Sequence, residues 1–325
     1  MNDSKSRLDG RHTELPSSSP NDLPGLVNQA GGSARFAWEE FIYGRIRNRS
    51  TRKNYLYACT KFLNHCERKQ ISLENVMPRD VADYIDSMPV SAATKKLHLA
   101  ALRLFFDILV NRHGILLNPA ASVRGPKLQV IEGKTPEIGV PQARKLLQSI
   151  DITTIVGLRD RAVISVLIYT AVRGGAVAGL KRSDFYNTGN QYCLRFEEKG
   201  GKSREIPCRH DLQIVLQEYL SVVGDCGKSE PLFRTVRGKT NLLTELPMSR
   251  GDISRLVKRR CRKAGLSFRI SPHSFRVTTI TDLLSQGSPL EDVQYLAGHA
   301  DPRTTRLYDR RKRQVTRNIV ERISI

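Results

Sequence analysis

The chain has 325 residues, with 53 Lys or Arg against 32 Asp or Glu, a formal charge of +21. A hydrophobic share of 39% is enough for real cores, and typical domain sizes favour two domains over one. The positive surplus exceeds the charge of about 8 that solubility asks of a small domain and points to a polyanionic partner, DNA or RNA. No apolar run of about 18 residues is present, which argues against a membrane span. The N-terminus is polar and lacks a signal-peptide core. The cysteines Cys59, Cys66, Cys193, Cys208, Cys226 and Cys261 form no C-x-x-C pair and have no zinc spacing, so they read as reduced thiols. Neither a metal nor a cofactor is expected, and no G-x-x-x-x-G-K-[ST] loop suggests ATP use. A cytoplasmic protein working at the nucleoid is the expectation.

Residues 1–34 are rich in Ser, Pro, Gly, Asn and Asp and are expected to be disordered. Order is expected to begin near Phe36, where Phe36, Trp38, Phe41 and Ile42 suggest a short amphipathic helix. Thr51 is expected to open a helix with Tyr55, Ala58, Phe62, Leu63 and Cys66 on one face. A second helix is expected over Pro78–Met88, with Val81, Ile85 and Met88 inward. A third, capped by Ser91, carries Leu97, Leu102, Phe105, Phe106 and Leu109. Asn118-Pro119-Ala120 ends this helical region, giving an expected domain over 35–124. Its exposed positions carry Arg45, Arg47, Arg49, Arg52, Lys53, Lys61, Lys95 and Lys96, a basic face suited to phosphate.

Three Gly and two Pro without periodicity mark 125–140 as a linker. The second domain is expected to start at Pro141. A helix over 143–150 is followed by Leu158–Tyr169, apolar nearly all round and so a core helix. Short strands over 191–196 and 204–208 flank the turn Lys199-Gly-Gly-Lys202. The remainder reads as helical to the end.

The chemistry-bearing residues lie in this second half. Arg173 follows the apolar helix; in a buried setting it needs an anion or a carboxylate, and a structural salt bridge would equally satisfy it. Lys199, on the turn, can reach a DNA groove and protonate a leaving oxygen, although alone it reads as a solvated turn residue. His273 and Arg276 fall three apart on the opening turn of a helix begun by Pro272, so both can aim at one phosphate. Ser288-Pro289-Leu290-Glu291 looks like a capping box with proline at the first helical position. That helix stops at Gly298, which puts His299 on a sharp corner. Asp301-Pro302 opens the next helix, and Tyr308 is expected about two turns along it. Flanked by Arg306 and Asp309-Arg310-Arg311, Tyr308 has a poor context for a core residue. A tyrosine nucleophile, two arginines to neutralise phosphate and histidines to move protons suit metal-free attack on a phosphodiester.

In order and spacing these residues resemble the tyrosine recombinase family, which includes phage-type integrases and Xer-like resolvases. The shared pattern is Arg173, hairpin Lys199, His273-x-x-Arg276, then Leu296-x-Gly298-His299 and Tyr308 nine residues on. Thr51-Arg52-Lys53-Asn54-Tyr55 and Asn118-Pro119 resemble the family's core-binding domain. The resemblance implies a mainly α protein with a small β-sheet in its C-terminal domain. A helical core-binding domain and a mixed α/β catalytic domain, over 141–308, would form a C-shaped clamp. It implies catalytic roles for Arg173, Lys199, His273, Arg276, His299 and Tyr308. Arg49, Arg52, Lys53, Lys95, Lys96, Lys202 and Arg204 are the candidate DNA contacts. The implied partners are double-stranded DNA recombination sites, further copies of the chain (a tetramer on synapsed DNA, a monomer or dimer off it) and accessory DNA-bending proteins. Tyr308 would form a 3′-phosphotyrosyl link without ATP or metal. The tail over 309–325, basic and then apolar at Ile319, Val320, Ile323 and Ile325, would dock on a neighbouring protomer. One departure stands out: the family usually has an acid three residues after the first arginine, where this chain has Ala176. Glu205 and Asp184 are candidate substitutes. A type IB topoisomerase-like enzyme and a non-catalytic DNA-binding relative are the alternatives.

Overall fold

A computed structural model of the chain describes residues 23–127, 135–198, 202–224, 227–238 and 240–308. Contacts divide it into two compact units, Met1–Gln129 and Val130–Ile325. Lys199, Cys226 and the tail over 309–325 lie outside the described residues.

The first unit is helical: α1 (Gly25–Gln29), α2 (Gly32–Glu39), α3 (Arg49–Arg68), α4 (Pro78–Ser87) and α5 (Ala92–Asn111). The segment expected to be disordered therefore holds structure from at least Gly25. Leu26 and Val27 explain why, since both are buried in the core of this unit. The helix expected to open at Thr51 opens at Arg49, because the Asn48 side chain accepts from the Ser50 and Thr51 amides. Ser91 caps α5 through the Thr94 amide, as its position suggests. A π-helical stretch over Glu40–Arg45 continues α2. It turns Phe41 and Ile42 into the core, while Phe36 stays exposed.

Aromatic rings organise that core. Trp38 meets Phe105 edge-on at 5.3 Å, Phe41 lies 5.4 Å from Phe105, and Phe62 meets Phe106 and Tyr84 edge-on. Such geometry suits the ring quadrupole. Phe105 is fully buried at the centre of these contacts. Phe105→Ala should therefore cost about 3–5 kcal/mol, measured as a lower denaturant midpoint for the first unit with an unchanged slope.

The second unit contains α6 (Val140–Gln148), α7 (Ile155–Thr170), α8 (Gly174–Ala178), β1 (Phe185–Asn187), β2 (Tyr192–Glu198) and β3 (Lys202–Pro207). It continues with α9 (His210–Val223), β4 (Arg234–Val236), β5 (Leu243–Pro247), α10 (Arg250–Lys263), α11 (Pro272–Ser285), α12 (Leu290–Ala297) and α13 (Pro302–Arg306). Strands β1, β2 and β3 form an antiparallel sheet in that order, with Phe196 opposite Arg204 and Glu198 opposite Lys202. The β4–β5 ribbon corrects the expectation of an all-helical remainder. Its strands are three and five residues long, too short to display a clear period of two. The expected linker also ends early: Ile138 is fully buried, and its backbone exchanges hydrogen bonds with the Thr278 hydroxyl.

Helix α7 is the core helix of this unit, but its second turn is not apolar. Arg159 and Asp160 are buried there, and the Asp160 carboxylate accepts from Arg159, Arg259 and Arg260. A charged pair survives burial because every lone pair finds a donor. At Gly157 a Cβ would collide with the Asp151 carbonyl, so no larger residue fits this turn. Among the described residues, no helix is long and apolar enough to cross a membrane.

Candidate active site

The end of α7 sets the floor of the site. Thr170 ends the helix, and Ala171 takes a left-handed φ of 51°, a conformation that strains a residue with a Cβ. The turn points the Ala171 carbonyl at α11, where Arg276 Nη1 donates to it at 2.6 Å. Arg276 is 1% exposed, so its charge sits in a poorly solvated place that an anion would relieve. Arg173 follows as the N-cap of α8 and is exposed, not buried as its apolar neighbours suggest.

Pro272 opens α11, and the Thr279 hydroxyl donates to the Ile168 carbonyl of α7 at 2.6 Å, locking the two helices in register. This sets His273 above Arg276. Gly298 ends α12 with a φ of 62°, open to glycine because no Cβ intervenes, and His299 follows on the corner. Pro289, not Ser288, sits at the N-cap of α12, and no side chain caps it, so the expected capping box is not formed.

Helix α13 is only five residues long. Tyr308 therefore lies on the turn after it, not two turns along it. It is also 8% exposed, packed with Ala171, Val277 and Ile280. Its charged sequence neighbours misled: a single short turn lets one side chain go in while those beside it stay out. The Tyr308 hydroxyl lies 3.3 Å from His273 Nε2, and its ring stacks on His299 at 5.7 Å and 9°. His299 Nδ1 in turn meets the Thr305 hydroxyl at 2.9 Å. If Thr305 donates that bond, Nε2 carries the proton and can donate to a phosphate.

A cleft of about 1490 Å³ is lined by Arg173, Ala176, Arg204, Arg250, His273 and His299, among others. Arg250 opens α10, and its place there carries no sequence signal beyond its charge. The structure thus brings Arg173, His273, Arg276, His299 and Tyr308 together, while Lys199 falls between β2 and β3 outside the described residues. Neither candidate for the missing acid stands near Ala176's role. Asp184 already binds Arg195 and the Lys181 amide. Glu205 is exposed on the face of β3 opposite to Arg204, and its carboxylate is the main influence raising the Tyr186 phenol to about 12.

The proposed DNA contacts divide. Arg49, Lys53 and Lys96 are exposed. Arg52 donates to the Ile46 carbonyl and lies over the Tyr43 ring, and Lys95 donates to the Asp86 carbonyl. Arg204 departs from expectation. It is buried and donates to the Tyr295 and Leu296 carbonyls. The side chain of Lys202 lies outside the described residues.

Burial pushes His299 down to about 3, with Arg276, Arg173, His273 and Arg204 adding to the effect. Burial, then Arg276 and Arg173, also lowers His273. Both rings are therefore neutral near pH 7. The unfolded chain binds protons at histidine near the ordinary 6.5, whereas folded His299 resists them down to about 3. Stability from this source is fully present above 6.5 and is lost as pH falls from 6.5 towards 3. Thermal midpoints from pH 7 to 4 should drop less steeply for His299→Gln than for wild type; equal slopes would count against a buried neutral ring.

The profile described as "Phage integrase family" matches residues 139–314, more than half of the chain. The chain belongs to the phage integrase family. A second profile, "Phage integrase, N-terminal SAM-like domain", matches residues 38–113. The tyrosine recombinase XerC of Pelobacter propionicus is 32% identical over 211 residues, which is 65% of this chain and 66% of the relative, just under two thirds of its length. The tyrosine recombinase XerC of Myxococcus xanthus is 27% identical over 268 residues, 79% of this chain and 86% of the relative. A crystal structure of a lambda integrase tetramer bound to a Holliday junction covers 86% of this chain and 77% of its own, with a TM-score of 0.65 at 21% identity. At that identity the likeness establishes the fold, a two-domain architecture with a helical N-terminal and a mixed C-terminal domain.

Proposed function

We propose that this chain is a site-specific DNA recombinase that cuts and rejoins DNA through a covalent link to Tyr308. The observation that carries the reading is the Tyr308 hydroxyl 3.3 Å from a neutral His273 Nε2, beside a cleft that Arg173 lines. A phenol has an ordinary pKa of about 10 and needs a base to attack near neutral pH. His273 is placed to take that proton.

In the proposed step, the Tyr308 oxygen attacks the scissile phosphorus as its proton passes to His273. The bond from phosphorus to the 5′-oxygen breaks, leaving a 3′-phosphotyrosyl link. Lys199, in the segment between β2 and β3, supplies the proton to the departing 5′-hydroxyl. Arg173 and Arg276 neutralise charge on the non-bridging oxygens, and His299 Nε2–H donates to one of them. Rejoining runs the same transfers backwards on a new 5′-hydroxyl. The diester is conserved as a phosphotyrosyl ester, so no nucleotide cofactor is consumed.

The tetramer on a Holliday junction and the XerC relatives support double-stranded recombination sites as substrate and further copies of the chain as partners. Activity on the chromosome of a prokaryotic cell, in the cytoplasm, fits those relatives. The test is covalent trapping on nicked recombination-site DNA, resolved on a denaturing gel. A Tyr308-dependent adduct supports the reading; tight specific binding without any adduct defeats it.

A further inference from the structure

Arg204 lies on β3, opposite Phe196. Along this strand Arg204 and Ile206 are buried while Ser203 and Glu205 are exposed, so Arg204 projects from the inward face. A guanidinium near the tip of a basic hairpin should reach for phosphate. This one instead donates through Nη1 to the Tyr295 carbonyl at 2.9 Å and to the Leu296 carbonyl. Both belong to the last turn of α12. Helices leave their final carbonyls short of donors and concentrate negative potential there, so a buried cation is well placed.

The end of α12 is where His299 begins. Gly298 reverses the chain, the His299 amide donates back to the Gln294 carbonyl, and the Gln294 side chain donates to the His299 carbonyl. Thr305 holds the ring itself. Arg204 ties this corner to the sheet. Its strand is joined to β2 by residues 199–201, which include Lys199. One arginine thus joins β3 to the corner that carries His299, about 90 residues on in sequence.

We infer that Arg204 is a positioning residue that seats the His299 corner against strand β3, and that it is not a phosphate contact. This rests on the function proposed above. The histidine that donates to the phosphate must be held in place, and a misplacement of about 1 Å costs roughly 100-fold in rate.

The test uses the full chain with Arg204→Gln and Arg204→Lys. In the free protein, backbone amides 298–300 should exchange at least about tenfold faster in Arg204→Gln; unchanged exchange overturns the inference. On a nicked substrate, single-turnover cleavage should fall by about 100-fold and be partly rescued by lysine. DNA affinity and its salt slope should stay at wild-type values. A salt slope reduced by about one would instead assign Arg204 to phosphate and overturn the inference. In a His299→Ala background, Arg204→Gln should add less than about threefold; full additivity would make its role generic and sink the idea. A wild-type protein that forms no Tyr308-dependent adduct would refute the proposed function, and the exchange result would still decide whether Arg204 seats the corner.

Discussion

Tyr308→Phe should abolish the covalent adduct on nicked recombination-site DNA, a loss of at least about 10⁴-fold in single-turnover cleavage, while specific DNA binding persists. The change removes one oxygen from a side chain that is 8% exposed and packed against Ala171, Val277 and Ile280. Phenylalanine fills the same space, and the ring can keep its stack on His299. Among the described residues, the polar partner that the hydroxyl loses is His273 Nε2, itself a cleft-lining group. The expected change in stability is accordingly small, about 0.5–1.5 kcal/mol for one hydrogen bond. The prediction separates chemistry from folding: a folded, binding-competent variant with no adduct identifies the nucleophile. Residual adduct at more than a trace would move the nucleophile elsewhere and leave the burial of Tyr308 as packing alone.

What could be read in the sequence was mostly local. His273 and Arg276 share one helical turn, and Gly298 before His299 marks a helix end, so their relation follows from backbone geometry over a few residues. Arg276's anchor was not legible, because the Ala171 carbonyl that receives it is 105 positions away and depends on a left-handed alanine. Arg204 was misjudged for a related reason. Charge and turn position said surface, whereas the strand's pairing with β2 sends its side chain inward to meet α12. Thr305 had a usable signal, lying six residues after His299 and three before Tyr308, the spacing of one short helical turn. The burial of Tyr308 ran against its charged neighbours, since α13 is too short for a neighbour's polarity to report on its face. The early helix α1 was hidden by the composition around it: two buried residues, Leu26 and Val27, outweigh a Ser- and Gly-rich setting.

Arg276→Gln should lower cleavage by about 10³-fold, near the cost of removing a charged transition-state clamp, and should also destabilise the fold. Arg276 is unlike Arg173 in this respect. Arg173 is exposed at the start of α8. Arg276 is 1% exposed and donates at 2.6 Å to the Ala171 carbonyl, itself fully buried. Losing that donor strands a buried carbonyl at about 1–3 kcal/mol, at the one turn where Ala171 already carries backbone strain. Glutamine can partly replace the bond but not the charge. Arg276→Lys restores charge yet presents a point cation without the planar fork, so it should recover only part of the rate. A second effect follows from charge. Arg276 holds both histidines down, so its removal should raise their pKa and move the acid limb of the cleavage profile to higher pH. Rate against pH for wild type, Arg276→Gln and Arg173→Gln, each with thermal midpoints, distinguishes the parts. A larger stability loss and acid-limb shift for Arg276→Gln than for Arg173→Gln is the expected pattern. Equal behaviour of the two variants would mean that the buried arginine acts only as an exposed cation does, and the Ala171 anchor would then have no part in catalysis.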